Sequence, residues 1–164
     1  MAEVVWDDVK DMFDPVANGT LPDVRIAETT VGDWQAVLDL VRSKGWRYEY
    51  EEDGRAGPMP ERIKAILANT ETTFPVVRVW PSPEWLAIFR PWTADEIKFD
   101  VDLCELQGQQ RLDELCGFLR TIGQRLGKLV TMYPEGSDQP DLEYAPEADR
   151  VVNLEPPHRP HPQR

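Results

Sequence analysis

Ile97-Lys98-Phe99-Asp100-Val101-Asp102-Leu103-Cys104, followed after Gln107-Gly108 by a run from Gln109 to Leu126 and then by Leu129 to Tyr133, reads as strand, helix, strand. In the first segment Ile97, Phe99, Val101 and Leu103 alternate with Lys98, Asp100, Asp102 and Cys104, a period of two that puts the apolar side chains on one sheet face and the acidic ones on the other. In the second, Leu112, Leu115, Cys116, Leu119, Ile122 and Leu126 recur at three- and four-residue spacing and form one stripe along a helix ended by Gly127. The core is therefore expected against this unit.

Working outward toward the N-terminus, Pro81-Ser82-Pro83-Glu84 separates two β-branched and aromatic runs, Phe74 to Trp80 and Trp85 to Arg90, as the tip of a hairpin. With the Ile97 strand they make a three-strand meander. Trp46, Tyr48 and Tyr50 alternate with Arg47, Glu49 and Glu51, a further strand that runs into the Asp53-Gly54 turn. Arg55 to Pro60 reads as loop, and Ile63, Ile66 and Leu67 mark a short helix. Thr30 stands three residues before Asp33 in a capping-box arrangement, ahead of Val31, Trp34, Val37, Leu38 and Val41, and Lys44-Gly45 closes that helix. Val24 to Ile26 is a short strand candidate. Glu3 to Phe13 is an amphipathic helix expected to stop at Pro15. Beyond Tyr133, Asp141 to Tyr144 is strand or loop, Arg150 to Leu154 is a last strand, and the proline-rich 155–164 tail is expected to be disordered. The sum is one α+β domain over residues 1–154, a mainly antiparallel sheet of about five strands with two principal helices, Val31 to Lys44 and Gln109 to Leu126, on one face.

Thirty acidic against eighteen basic residues in 164 give a formal charge of −12, which argues against nucleic-acid and anionic-membrane partners and suits either a basic protein partner or simply a solvated acidic surface. The N-terminus has no basic region leading into an apolar run, and no stretch approaches a membrane-spanning length, so a cytoplasmic location is the expectation. Cys104 and Cys116 are expected as free, buried thiols, and nothing resembles metal-ligand or cofactor spacing. His158 and His161 both fall in the tail, where no scaffold holds a catalytic base. Gly123 and Gly127 stand at the end of a helix and not at its start, so they make no phosphate loop.

Two constellations remain. Asp100 and Asp102, extended by Glu105, project on the same side of a strand, where they suit a basic partner, or a shared cation in a metal-dependent hydrolase, or simply a solvated face. Trp80, Trp85 and Trp92 surround the hairpin, where tryptophan beside carboxylates is a composition of interface centres and core packing is the equal alternative. The candidate partner-binding set is thus Glu49, Glu51, Trp80, Trp85, Asp100 and Asp102, with no catalytic residue and no metal ligand assigned; an acidic mimic of DNA is the third possibility.

The series Phe99-Asp100-Val101-Asp102-Leu103, Glu105-Leu106, Phe118-Leu119, Ile122-Gly123, Leu126-Gly127-Lys128, Val130 and Pro134-Glu135-Gly136 resembles the C-terminal half of small bacterial immunity proteins of polymorphic or contact-dependent toxin systems, over Ile97 to Tyr144. The resemblance implies a noncatalytic α+β inhibitor that occludes a toxin domain in the cytoplasm, and the −12 charge would steer it toward a basic nuclease toxin.

Overall fold

Alternation makes a strand of Glu96–Asp100 and periodicity a helix of Gln109–Leu126 in the computed structural model, which describes residues 3–154. The expected disordered tail, with both histidines, lies outside the described residues. In chain order the elements are α1 (Trp6–Val9), a 3-10 turn (Lys10–Phe13), α2 (Pro15–Asn18), β1 (Asp23–Ala27), α3 (Val31–Ser43), β2 (Arg47–Glu52), β3 (Arg55–Gly57) and α4 (Ile63–Leu67). They continue with β4 (Pro75–Ser82), β5 (Trp85–Phe89), β6 (Glu96–Asp100), a 3-10 turn (Leu103–Glu105), α5 (Gln109–Leu126), β7 (Val130–Tyr133), β8 (Leu142–Ala145) and β9 (Arg150–Asn153).

The nine strands of the described residues join one antiparallel sheet in the order β3-β2-β4-β5-β6-β1-β7-β8-β9. The class is α+β as expected, but nine strands replace the expected five or so. The additions are short. β3 and β8 have three and four residues, too few for alternation to stand out from loop composition. β1 is placed between β6 and β7 by registers such as Val24 with Phe99 and Val24 with Met132.

One sheet face carries the helices. Val77, Val79, Ala87, Phe89, Phe99, Ile97, Val24, Ile26, Met132, Val130, Leu142 and Tyr144 are all buried there, in a single cluster with the α5 stripe Leu112, Leu115, Leu119 and Ile122. Each Val, Leu, Ile, Phe or Met among them contributes roughly 1.5–3 kcal/mol of apolar transfer on burial. Phe118 of α5 gathers the aromatic part of the core, with Trp46, Trp85, Phe89 and Phe99 rings 5.1–6.3 Å from it. At Gly123 α5 comes so close to the sheet that any Cβ would collide with the Tyr144 ring.

The caps explain the helix ends. Thr30 and Asp33 form the reciprocal capping box of α3, and Gly127, at φ 65°, ends α5 in the left-handed conformation. The N-terminal segment departs from the expected single helix: it breaks into α1, a 3-10 turn and α2, because Asp14 accepts from the Val16 N–H and caps a new turn that Pro15 begins rather than ends. No helix among the described residues is long and apolar enough to cross a membrane.

Candidate functional site

Among the described residues no helix covers the second sheet face, and cross-strand register decides which side chains meet there. Glu49 pairs with Arg78, Arg78 with Ile88, Ile88 with Asp100, Asp100 with Asp23 and Asp23 with Tyr133, one row across six strands. Arg47 pairs with Trp80 and Glu51 with Val76 on the same face. Glu49, Glu51, Trp80 and Asp100 are therefore brought together on the open face.

Trp85 is not among them. Its position in β5 matches Ala87 and Phe89, so it points into the core, is 1% exposed, and its indole N–H donates to Glu114 at 3.1 Å. Period two separates it from Trp80, which lies across the bulge in the β4–β5 register. As a surface anchor Trp85 is thus corrected to a core residue. Asp102 is also removed from the shared strand face. The ladder ends at Asp100; Val101 and Leu103 instead donate to the carbonyls of Pro22 and Thr20, and the Asp102 carboxylate caps the 3-10 turn by accepting from the Cys104 N–H at 2.8 Å. Glu105 accepts from the Leu86 N–H at 3.3 Å, and partial burial pushes its carboxyl up. Among the described residues no three His, Cys, Asp or Glu side chains are gathered closely enough to share a metal ion. Cys104 is exposed and not buried as expected, while Cys116 is buried; both are free. Local desolvation and the neighbouring Asp102 hold the Cys104 thiol above its ordinary value, and burial pushes Cys116 to about 12, so neither is activated as a nucleophile.

The open face is charged but internally balanced. Arg78 meets Glu51 at 2.9 Å, Arg47 meets Glu49 at 3.0 Å and stacks 4.2 Å over the Trp80 ring, and Arg90 pairs with Asp100. Arg25 pairs with Asp23, which raises the pKa of its guanidinium, and lies 4.4 Å over Tyr133, while Lys98 stands 3.9 Å from Asp23. These cations interrupt the carboxylates, so the face is no continuous phosphate-like row of negative charge. At its β5–β6 end, Arg90, Trp92, Glu96, Lys98 and Asp100 border a shallow hollow of about 360 Å³, with Trp92 half exposed.

A second concavity was not legible in the sequence. It is a cleft of about 800 Å³ between the N-terminal helical segment and the β7–β8 connection, and its carboxylates are Asp8, Asp11, Glu135 and Asp141. None of the described residues lining it is Lys, Arg or His. Glu135 is fitted against Gly19, whose φ is +78°, and accepts from the Leu21 N–H at 3.3 Å. Asp141 is 8% exposed, and burial pushes its carboxyl up to about 7. The four come from segments far apart in the chain, and Pro140-Asp141-Leu142 carries no mark that distinguishes a buried carboxyl from a turn residue.

Comparison with protein-family models, with characterised proteins and with solved structures returns no match.

Proposed function

We propose that the protein is a noncatalytic interaction module that binds a basic protein, in the manner of an immunity-type inhibitor that occludes a toxin domain. The observation that carries this reading is the co-location of Glu49, Glu51, Trp80 and Asp100 on the helix-free sheet face. A formal charge of −12 supports it, since it favours encounter with a cationic surface. Contact would proceed by exchange. The Arg78–Glu51 and Arg90–Asp100 pairs are partly solvated, so each intramolecular pair is worth only about 0–1 kcal/mol and a partner's Lys or Arg can replace the internal cation at little cost. Trp80 then supplies a flat, half-buried ring beside the carboxylates, a side chain of the type that contributes most to binding. Trp85 supports the face from behind and Asp102 shapes its margin; neither makes contact.

The test is binding to the protein encoded beside this one, since immunity proteins are commonly encoded next to their toxins. A complex is expected whose association rate falls steeply with salt, and whose Kd rises at least tenfold in Trp80→Ala and in the Glu49→Gln, Glu51→Gln double variant. A neighbour that fails to bind at low salt, or a complex indifferent to these substitutions, overturns the reading.

A further inference from the structure

The acidic cleft has a rim and a floor. Asp8, Asp11 and Glu135 are exposed at the rim, whereas Asp141 is 8% exposed. Its backbone is clamped on both sides: the Asp141 N–H donates to the Met132 carbonyl at 3.0 Å, and the Asp141 carbonyl accepts from the Leu154 N–H at 2.9 Å. Its side chain is not satisfied in the same way, because among the described residues Oδ1 has no hydrogen-bond partner. Buried carboxyl oxygens are ordinarily hydrogen-bonded, and an orphan in the wall of an open cleft points to a donor that arrives from outside.

We propose that this cleft binds an aliphatic cation bearing two or more ammonium groups, one of them donating to the Asp141 carboxylate and the others to carboxylates at the rim. The lining matches that chemistry beyond its charge. Met12, Pro134, Pro140 and Leu154 offer apolar surface to methylene spacers, and Asn18 and Gln139 offer neutral acceptors for the remaining N–H bonds. A bare metal ion fits less well, because a divalent cation needs several oxygens within one coordination sphere and no three carboxylates of the described residues are so gathered. The same ammonium chemistry is carried by a free oligoamine and by the lysine side chains of a protein.

Ligation also sets a pH dependence. With its carboxyl raised to about 7 by burial, Asp141 is mostly protonated at pH 6, and seating an ammonium group displaces that proton. Asp8, Asp11 and Glu135, from both segments that enclose the cleft, face the same space.

Calorimetric titration of the full chain at low salt, with spermidine in one arm and tetralysine in the other, tests the proposal. Saturable binding of either supports it; the tighter of the two identifies a free amine or a protein side chain as the source. Affinity is expected to rise about tenfold from pH 6 to pH 8, following ionisation of a group near 7, and to lose that slope in Asp141→Asn. Asp141→Asn should weaken binding at least tenfold at pH 8, while Glu71→Gln, an exposed charge outside the cleft, changes it less than twofold. Amide shifts of the unsubstituted protein should move at Asn18, Ser137 and Gln139, a readout independent of how well the variants fold. Absence of binding in both arms, equal weakening by Asp141→Asn and Glu71→Gln, or shifts confined to the open sheet face would each overturn the proposal. The outcome is independent of whether a basic protein docks on that face.

Discussion

The open sheet face and the acidic cleft hold carboxylates in two different conditions. On the sheet, Glu49, Glu51, Asp100 and Asp23 each have a cation of the same chain within reach, because antiparallel register sets residues from neighbouring strands side by side and the sequence has placed Arg and Lys among them. In the cleft, Asp8, Asp11, Glu135 and Asp141 come from turns and short helices, where no ladder supplies a partner. A net charge of −12 is thus unevenly spread in its effect: Asp23 on the sheet and Asp141 in the cleft are equally buried, but the first is paired with Arg25 and the second keeps an oxygen without a partner among the described residues.

Asp141→Asn should sharpen that contrast most. An acid whose pKa is raised from about 4 unfolded to about 7 folded binds its proton more tightly in the native state, so its contribution to stability is greatest at low pH, declines through the interval between the two values and is gone above the higher one. The substitution should therefore remove a stability loss that builds up between about pH 4 and pH 7 and raise stability at pH 8 by roughly 4 kcal/mol at most, read from urea denaturation at pH 4 and pH 8. An unchanged slope would mean that Asp141 is as well accommodated as the sheet carboxylates.

Gly19→Ala tests the wall of the cleft. The added Cβ would stand 2.3 Å from Glu135 Oε2 on a backbone at φ +78°, and the combination should lower stability by about 1–2 kcal/mol in thermal or urea denaturation. On the open face smaller numbers are expected. Arg90→Ala leaves the partly buried Asp100 carboxylate without its guanidinium and should cost about 1 kcal/mol, diminished in high salt. The Glu51→Gln, Arg78→Ala double-mutant cycle should return a coupling of only about 0.5 kcal/mol, and a value several times larger would show that these pairs are too firmly held to be exchanged with a partner.

The elements that were legible in the sequence are those with enough repeats of their own period. The α5 stripe, the Thr30–Asp33 cap and the β4–β5–β6 meander follow from side-chain spacing alone, since the physics that orders them is local. β3 and β8 are held by pairing to strands already in place, and their composition is that of loops. The same division runs through the candidate site. Glu49, Glu51, Trp80 and Asp100 were each visible, yet their common face depends on strand order, which no local pattern encodes. Trp80 and Trp85 looked equivalent beside the hairpin, and the bulge in register puts them on opposite faces. Asp102 continued the alternation on paper but is taken by the Cys104 N–H as a cap. The cleft had no signal at all, because it exists only after β7, β8 and the N-terminal turns have met.

The position of β1 has a kinetic consequence. Among the described strands it is the first in chain order, and both its neighbours, β6 and β7, come from the later half of the sequence. Five strands on one side and three on the other can each form as hairpins, but they become one sheet only when this early segment is inserted between them. Such long-range closure slows folding relative to a simple meander, so during synthesis the Asp23–Ala27 segment waits with both edges unpaired until β6 has emerged, and with one edge unpaired until β7 has.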